Sequence, residues 1–260
     1  MTTELTPLVL TAFSGGVVAL LLTLFGGGGS VLAVPLLLYV VGVADPHVAI
    51  GVSAAGVALN ALTALAGHAR TGRVRWPCAT LFAVTGAAGA WFGSSLAKMI
   101  DGHQLLLIFA VAMAAVGASM LRPKAAIARV EPRLNWSMSP RVSMAGAGVG
   151  SAAGFFGIGG GFLIVPGLMA STGMSLATAQ ATSLLSVAAF GATAAGNYAL
   201  SGWVDPGLVA AMAVGGVAGT AAGLPLARRL GSNARLGRIL FAGLILVVAA
   251  YVAVRAVLAL

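Results

Sequence analysis

Long, uninterrupted apolar runs constrain this chain more than any other feature. Five such runs span residues 8–25, 77–97, 104–121, 207–227 and 239–254. Each approaches or reaches the roughly 20 apolar residues that cross a bilayer as a helix. Polar residues do not alternate with period two in them, which excludes an outer-membrane β-barrel. Only 7% of the 260 residues are charged, against about 25% in soluble domains. We therefore predict an all-α, polytopic membrane protein.

Positive charge is confined to short clusters at the ends of apolar runs. The chain has a net charge of +9. Twelve of its fourteen basic residues form three groups: Arg70, Arg73, Arg75; Arg122, Lys124, Arg129, Arg133, Arg141; and Arg228, Arg229, Arg235, Arg238. This distribution follows the positive-inside rule. We expect all three groups to be cytoplasmic, with the chain in the cell inner membrane, and we expect no nucleic-acid partner.

Two glycine-rich stretches interrupt the apolar sequence. "FGGGGSVLAVP" covers residues 25–35 and "FGIGGGFLIVP" covers residues 156–166. With a shift of 131 residues they agree at 7 of 11 positions. Glycine destabilises a helix interior, so the recurrence of this break at equivalent places indicates a function for it.

The glycine stretches belong to a longer internal repeat. With a shift of 130, Ser53 matches Ser183 and Thr63 matches Thr193. We predict a first inverted membrane repeat at 1–121, a cytoplasmic basic linker at 122–140 and a second inverted membrane repeat at 141–260. Each repeat has five predicted helical segments: 8–25, 30–43, 48–69, 77–97 and 104–121, then 142–156, 160–172, 175–199, 207–227 and 236–257.

Charge predicts that the two repeats have opposite orientations. The loop at 70–76 carries three arginines, whereas its equivalent at 200–206 carries none. Conversely, the turn at 98–103 is balanced by one lysine and one aspartate, whereas its equivalent at 228–238 carries four arginines. An odd number of segments in each half also requires an inverted-topology repeat. We predict that both termini lie outside.

The segments at 30–43 and 160–172 are short for a full crossing. We expect each to be the returning arm of a hairpin, or the second part of a broken helix, entered through a glycine stretch. Such a break is tolerated only inside protein or along a water-filled cavity. The helix that follows it, at Ser30 or Gly161, directs unsatisfied N–H groups toward the break, which suits an anion.

Neutral polar residues lie around the predicted breaks. Neither 46–69 nor 142–204 contains an Asp, Glu, Lys or Arg. Amides and hydroxyls can hold a small oxyanion without a buried charge, and His68 is the one titratable candidate for proton coupling near the membrane. The candidate substrate-binding residues are Gly28, Gly29, Ser30, Ser53, Asn60, Gly159, Gly160, Gly161, Gln180, Thr182, Ser183 and Asn197.

Structural explanations remain open for each of these residues. Glycine breaks can serve helix packing alone, and a membrane Ser or Thr often bonds its own i−4 carbonyl. His68 can be an interfacial residue. We predict no metal site and no cofactor, since the single Cys78 excludes a thiolate cluster. "GGGGS" lacks the ending of a phosphate-binding loop.

The two glycine stretches, followed by "ATSLLSVAAFGATAAGNYALSGWVD" at 181–205, resemble the paired signatures of the sulfite exporter TauE/SafE family of membrane permeases. The resemblance covers about 25–97 and 156–227. It implies transport of sulfur-containing anions such as sulfite or sulfonates, with Gly26–Ser30 and Gly157–Gly161 as site-lining backbone and with Thr182 and Ser183 as polar lining. Val52 stands where the second half has Thr182, so the second half supplies more side-chain hydrogen bonds.

These features predict a secondary transporter, not an enzyme, that exports a small sulfur oxyanion by alternating access at a midplane site between the repeats. A proton or sodium is the candidate coupling ion. The alternatives are a non-transporting membrane scaffold or assembly subunit and, disfavoured by the lack of a catalytic cluster, a membrane enzyme. Small-residue pairs at Gly89/Gly93 and Gly219/Gly223 can pack within the chain or form a homodimer.

Overall fold

The structure is a computed structural model that describes residues 2–70, 72–121, 138–157, 161–230 and 234–258. These ranges are helical and contain no strand, which confirms the predicted all-α class. The ten α-helices are α1 (Thr2–Phe25), α2 (Ala33–Leu36), α3 (Pro46–Ala69), α4 (Trp76–Ala97), α5 (Gly102–Leu121), α6 (Ser139–Phe156), α7 (Gly161–Thr172), α8 (Leu176–Ala199), α9 (Pro206–Leu230) and α10 (Ala234–Leu258). A 3-10 helix, Gly26–Leu32, joins α1 to α2, and a π-helical turn, Leu37–Val41, follows α2.

Four segments of the described chain are long and apolar enough to cross a membrane. They are Leu5–Val41, Pro46–Ala69, Leu176–Ala199 and Pro206–Ala227. Shorter apolar helices cover Gln104–Ala115, Leu163–Thr172 and Ile245–Arg255. The chain is therefore a multi-pass membrane protein, and its helices correspond closely to the ten predicted segments apart from the earlier start of α1.

Aspartate and proline together begin two of the long helices. The Asp45 carboxylate accepts a hydrogen bond from His47 N at 2.8 Å, and Pro46 is the first residue of α3. The Asp205 carboxylate likewise accepts a hydrogen bond from Gly207 N at 2.7 Å, and Pro206 is the first residue of α9. Such side chains accept hydrogen bonds from N–H groups that the first turn of a helix leaves unpaired. Proline has no N–H group, so it loses no hydrogen bond at the first helical position. The helix starts are thus determined locally.

The two halves share one architecture. The six positive-φ glycines of the described residues form three equivalent pairs: Gly26 and Gly157, Gly42 and Gly173, and Gly72 and Gly202. Helix contacts are repeated in the same way. Helix α1 packs on α9, and the equivalent of α1, helix α6, packs on α4, which is the equivalent of α9. The equivalent helices α3 and α8 pack on each other, as do α5 and α10.

Hydrogen bonds determine the relative direction of α4 and α8. Near the starts of both helices, Arg75 N donates to Thr182 Oγ1 at 3.2 Å. At their ends, Lys98 Nζ donates to Asn197 Oδ1 at 2.7 Å. The two helices therefore run side by side in one direction, so the loops at 70–75 and 200–205 lie at opposite ends of the bundle. An inverted repeat requires this arrangement, while the assignment of each end to a membrane face stays a prediction.

Glycine permits the closest helix contacts within the chain. A Cβ at Gly89 of α4 would overlap the carbonyl oxygen of Ala147 in α6. In the equivalent contact, a Cβ at Gly219 of α9 would overlap Gly16 O in α1. Close backbone approach of this kind is how small residues hold membrane helices together. These glycines therefore pack helices against each other within the chain.

Candidate functional site

The first glycine stretch, residues 26–30, is a sharp and fully buried reversal of the chain. Gly26 adopts φ +65°, a left-handed conformation that favours glycine. A Cβ at Gly29 would overlap the backbone of Leu21 and Leu22. In a straight helix, residues seven and eight positions apart would be too distant for this contact. The following segments, α2 and Leu37–Val41, also contact α1. The chain thus forms a hairpin whose returning arm is Gly26–Val41.

The helices on either side of the second glycine stretch, α6 and α7, are arranged as a second hairpin. Gly157 ends α6 with φ +63°, and α7 begins at Gly161. A Cβ at Gly167 in α7 would lie 2.9 Å from Val149 Cγ2 in α6, so the two helices run back along each other. The returning arm here is α7. Gly159 and Gly160, both predicted site residues, lie outside the residues that the structure describes.

Each glycine stretch is held by the equivalent serine of the other repeat. Gly27 N donates to Ser183 Oγ at 3.1 Å, and this hydroxyl lies 2.8 Å from Gln180 O. Ser53 Oγ lies 2.8 Å from Gly157 O and 3.0 Å from Ile50 O. Both serines are fully buried. Two crossed hydrogen bonds, related by the repeat, therefore fasten the hairpin tips to α8 and α3.

Backbone packing reinforces both crossed contacts. A Cβ at Gly26 would lie 2.8 Å from Gln180 Cα and O. A Cβ at Gly157 would overlap the Ile50 side chain, and residues 50 and 180 are equivalent in the repeat. Any larger residue at either glycine would separate the tip from the helix beneath it. We name these two regions the first tip contact (Gly26–Gly27 on α8) and the second tip contact (Gly157 on α3).

The two tip contacts lie at different levels of the bundle. Gly51 of α3 packs on Tyr198, while Gly191 of α8 packs on Ala54 and Ala58, so α3 and α8 are antiparallel. With this register, Ser53 and Ser183 are separated by about 11 helical residues, or roughly 16 Å along the helix pair. The structure does not bring Ser53 and Ser183 together. It places one tip contact toward each end of the bundle.

Main-chain groups and hydroxyls supply the chemistry near the first tip. Gly28, Gly29 and Ser30 are buried in the 3-10 helix. Ser30 Oγ donates to Gly27 O at 2.8 Å, and Ser183 accepts the N–H of Gly27, so these groups already have partners. Thr182, also fully buried, accepts from Arg75 N at 3.2 Å. The hydroxyls here are thus already engaged, so main-chain N–H groups are the candidate donors for an anion.

Asn197 lies at the far end of α8, in a network that joins this helix to α4. Its Nδ2 donates to Ser94 Oγ at 2.7 Å and to Ser95 Oγ at 2.8 Å. Its Oδ1 accepts from Lys98 Nζ, which also donates to Ser201 Oγ at 3.0 Å. Asn197 therefore links two helix ends instead of contacting a glycine stretch. Sequence reasoning did not identify Lys98 as its partner, although Ser94, Ser95 and Lys98 share one face of α4 by spacing.

Asn60 and His68 face a different interface, formed by α1, α3 and α9. Asn60 Nδ2 lies 3.4 Å from Gly15 O, and its Oδ1 is buried without a hydrogen-bond partner. His68 Nε2 lies 3.2 Å from Thr23 O. Thr23 was not predicted, although it is a polar residue inside the apolar run that ends α1. Asn60 and His68 thus lie against main-chain carbonyls of α1, Gly15 O and Thr23 O respectively.

The predicted site residues thus fall into distinct groups. Gly28, Gly29, Ser30, Gln180, Thr182 and Ser183 surround the first tip, whereas Ser53 and Gly161 belong to the second tip and its arm. The described residues contain no group of three His, Cys, Asp or Glu that can hold a metal ion.

Comparison with known proteins identifies relatives across nearly the whole chain. The sequence model described as "Sulfite exporter TauE/SafE" matches residues 11–252. A "Probable membrane transporter protein" of Xylella fastidiosa (strain Temecula1) is 46% identical over 94% of this chain and 94% of its own. "Probable membrane transporter protein YdhB" of Bacillus subtilis is 27% identical over 76% of this chain and 80% of its own. No solved structure gives a significant match.

Proposed function

Because the chain belongs to the sulfite exporter TauE/SafE family, we propose that it exports small sulfur-containing anions, such as sulfite or organosulfonates, across the cell inner membrane. The family and the names of the relatives indicate a membrane transporter. The observation that carries the finer proposal is the pair of crossed hydrogen bonds, Ser183 to the first glycine stretch and Ser53 to the second. These bonds hold the backbone of both stretches against the helices of the other repeat.

The anion binds between the two tip contacts, in the space bordered by the returning arms and by α3 and α8. Main-chain N–H groups at Gly28 and Gly29 and the amide of Gln180 are the proposed donors on one side. The N-terminus of α7, which begins at Gly161, is the second proposed set of donors, and the anion contacts the two sets in turn as it crosses the bundle. Helix N-termini and clustered N–H groups favour anions without a buried lysine or arginine. An oxyanion with several acceptor oxygens fits either set of donors.

The separation of the tip contacts supports transport by alternating access. The first tip contact closes the bundle toward the end that carries Arg75, and the second closes it toward the end that carries Trp203. Rocking one repeat against the other breaks one contact while the other holds. By the positive-inside prediction, the Arg75 end is cytoplasmic. The anion thus enters past Ser183 and leaves past Ser53.

The membrane potential favours the outward direction. An inside-negative potential moves anions outward with about 2.3 kcal/mol per charge per 100 mV. A divalent anion such as sulfite gains about twice that free energy. Export therefore needs no additional driving force, although a coupling ion can modify it.

Anion-dependent thermal stabilisation of the purified protein tests this proposal. Sulfite, an organosulfonate, sulfate and chloride are compared at equal ionic strength. An anion at about 100 times its Kd adds roughly 2.7 kcal/mol, or about 5 °C in Tm for a chain of this size. We expect this shift with sulfite or the organosulfonate and not with chloride.

A matched pair of variants tests whether the anion stabilises the protein by binding at the first glycine stretch. Gly28→Leu fills the first glycine stretch and should abolish the stabilisation by sulfite, whereas Thr193→Ala, whose hydroxyl bonds only Ala189 O of its own helix, should retain it. A scaffold without a substrate predicts the same Tm in all four anions for the wild-type protein. That result would refute the transporter proposal.

A further inference from the structure

Two equivalent helix contacts in this protein differ in polarity. In the second half, Phe190 of α8 fills the notch at Gly86 of α4, where a Cβ would overlap its ring. In the first half, the equivalent residue is Asn60 of α3, and it fills the equivalent notch at Gly216 of α9. A carboxamide therefore replaces an aromatic ring at one of two matched positions.

The difference extends along the same interface. Thr63 and Thr220 approach at 3.2 Å between their hydroxyls, whereas the position equivalent to Thr220 is Ala90. The aromatic side has Phe82 stacked on Phe190 with ring centroids 6.1 Å apart. Polar groups inside a membrane protein are costly and mark functional sites by default. The polar side is therefore a candidate for a ligand.

Buried oxygens with spare acceptor capacity line the polar interface. Asn60 is fully buried, and its Oδ1 has no hydrogen-bond partner. Thr63 donates its one proton to Asn60 O at 2.8 Å, so Thr220 donates to Thr63 and keeps its own lone pairs. Gly15 O meets Asn60 Nδ2 only at a long 3.4 Å. An unpartnered buried acceptor costs about 1–3 kcal/mol, and a cation would remove this cost.

We propose that the α1–α3–α9 interface binds a sodium ion through Asn60 Oδ1, Thr220 Oγ1 and Gly15 O. The ligands are neutral oxygens, and residues 5–44, 46–69 and 206–227 contain no Asp or Glu. Calcium and magnesium sites use carboxylates, so a monovalent cation is the fitting class. The ion joins α1, which leads into the first glycine stretch, to α3, which carries Ser53. Its role as the coupling ion rests on the proposed transport function, whereas its binding does not.

The test measures Tm of the purified full-length protein in sodium chloride, with choline chloride or potassium chloride holding ionic strength constant. Above the Kd, each tenfold rise in sodium should raise Tm by about 2.5 °C. Asn60→Leu and Thr220→Val should lose this dependence. Thr193→Val, which removes the hydroxyl equivalent to that of Thr63 on the aromatic side, should keep it. Leu and Val have nearly the shapes of Asn and Thr, and an apolar residue, Phe190, already occupies the equivalent position at Gly86, so the first two variants should fold.

A wild-type Tm that is equal in sodium, potassium and choline would overturn the sodium site, and so would sodium dependence that survives in Asn60→Leu. Stabilisation by sulfite in sodium-free choline buffer is measured in parallel. Sulfite stabilisation without a sodium effect rejects the sodium site and leaves the transport proposal standing. A sodium effect without stabilisation by any sulfur anion rejects the transport proposal and leaves the sodium site standing.

Discussion

Replacing Ser183 with alanine should open one end of the transporter selectively. Ser183 Oγ accepts the N–H of Gly27 in a contact that is fully buried. Without the hydroxyl, this N–H has no acceptor in the closed arrangement, which costs about 1–3 kcal/mol. The open arrangement exposes the same N–H to water and loses nothing. The population of the open state should therefore rise about 5- to 150-fold.

The rate at which an introduced cysteine reacts reports this population. Cys78 is the single native cysteine and is buried, so Cys78→Ala provides the background. Gln180→Cys then places a thiol beside the first tip contact, and Ile50→Cys places one at the equivalent position beside the second. In oriented vesicles, Ser183→Ala should raise the reaction of the thiol at 180 with a membrane-impermeant reagent applied at the Arg75 end.

The equivalent variant provides the control. Ser53→Ala should raise reactivity at position 50 from the other side, and by less, because it leaves the Gly157 carbonyl and not an N–H without a partner. Unchanged reactivity at 180 in Ser183→Ala would refute the reasoning. Equal increases at both positions would refute it too, because they indicate general loosening instead of one released contact.

Further predictions concern packing and topology. Gly93→Leu should prevent stable folding, because even a Cβ there overlaps Ser151 O. Gly148→Ala, whose Cβ has nothing within 4 Å, should instead raise the free energy of unfolding by about 0.5–1 kcal/mol. Size-exclusion profiles and Tm distinguish the two variants. Cysteines at Gly72 and Gly202, both exposed, should react from opposite sides of the membrane, and same-side reaction would contradict the inverted repeat.

The helices and their breaks were predictable because their signals are local. Apolar runs define the spans, while Asp45 with Pro46 and Asp205 with Pro206 mark helix starts in neighbouring residues. The repeat of the glycine stretch was visible as well, and it left two alternatives for residues 30–43, a hairpin return or a broken helix, of which the structure has the hairpin return. Such features need only the spacing of a few residues along the chain.

The relations between distant residues were not predictable from one sequence. Ser53 and Ser183 were recognised as equivalent, but not as the residues that hold the opposite glycine stretch, because that depends on how α3 and α8 pack. The same holds for Asn197, whose carboxamide meets Lys98 and Ser94 at a helix end, and for Asn60, which faces α1 and α9. Side-chain partners follow from helix register, which equivalence alone does not define.

Sulfite flux through proteoliposomes tests the central proposal most directly. Vesicles containing the purified protein are loaded with sulfite at alkaline pH, and its release is followed with and without an imposed potential. We predict saturable release that exceeds that of protein-free vesicles, increases when the sulfite-containing side is negative, and is lost in Gly28→Leu. Release equal to that of protein-free vesicles, at every potential and for every sulfur anion tested, would contradict it.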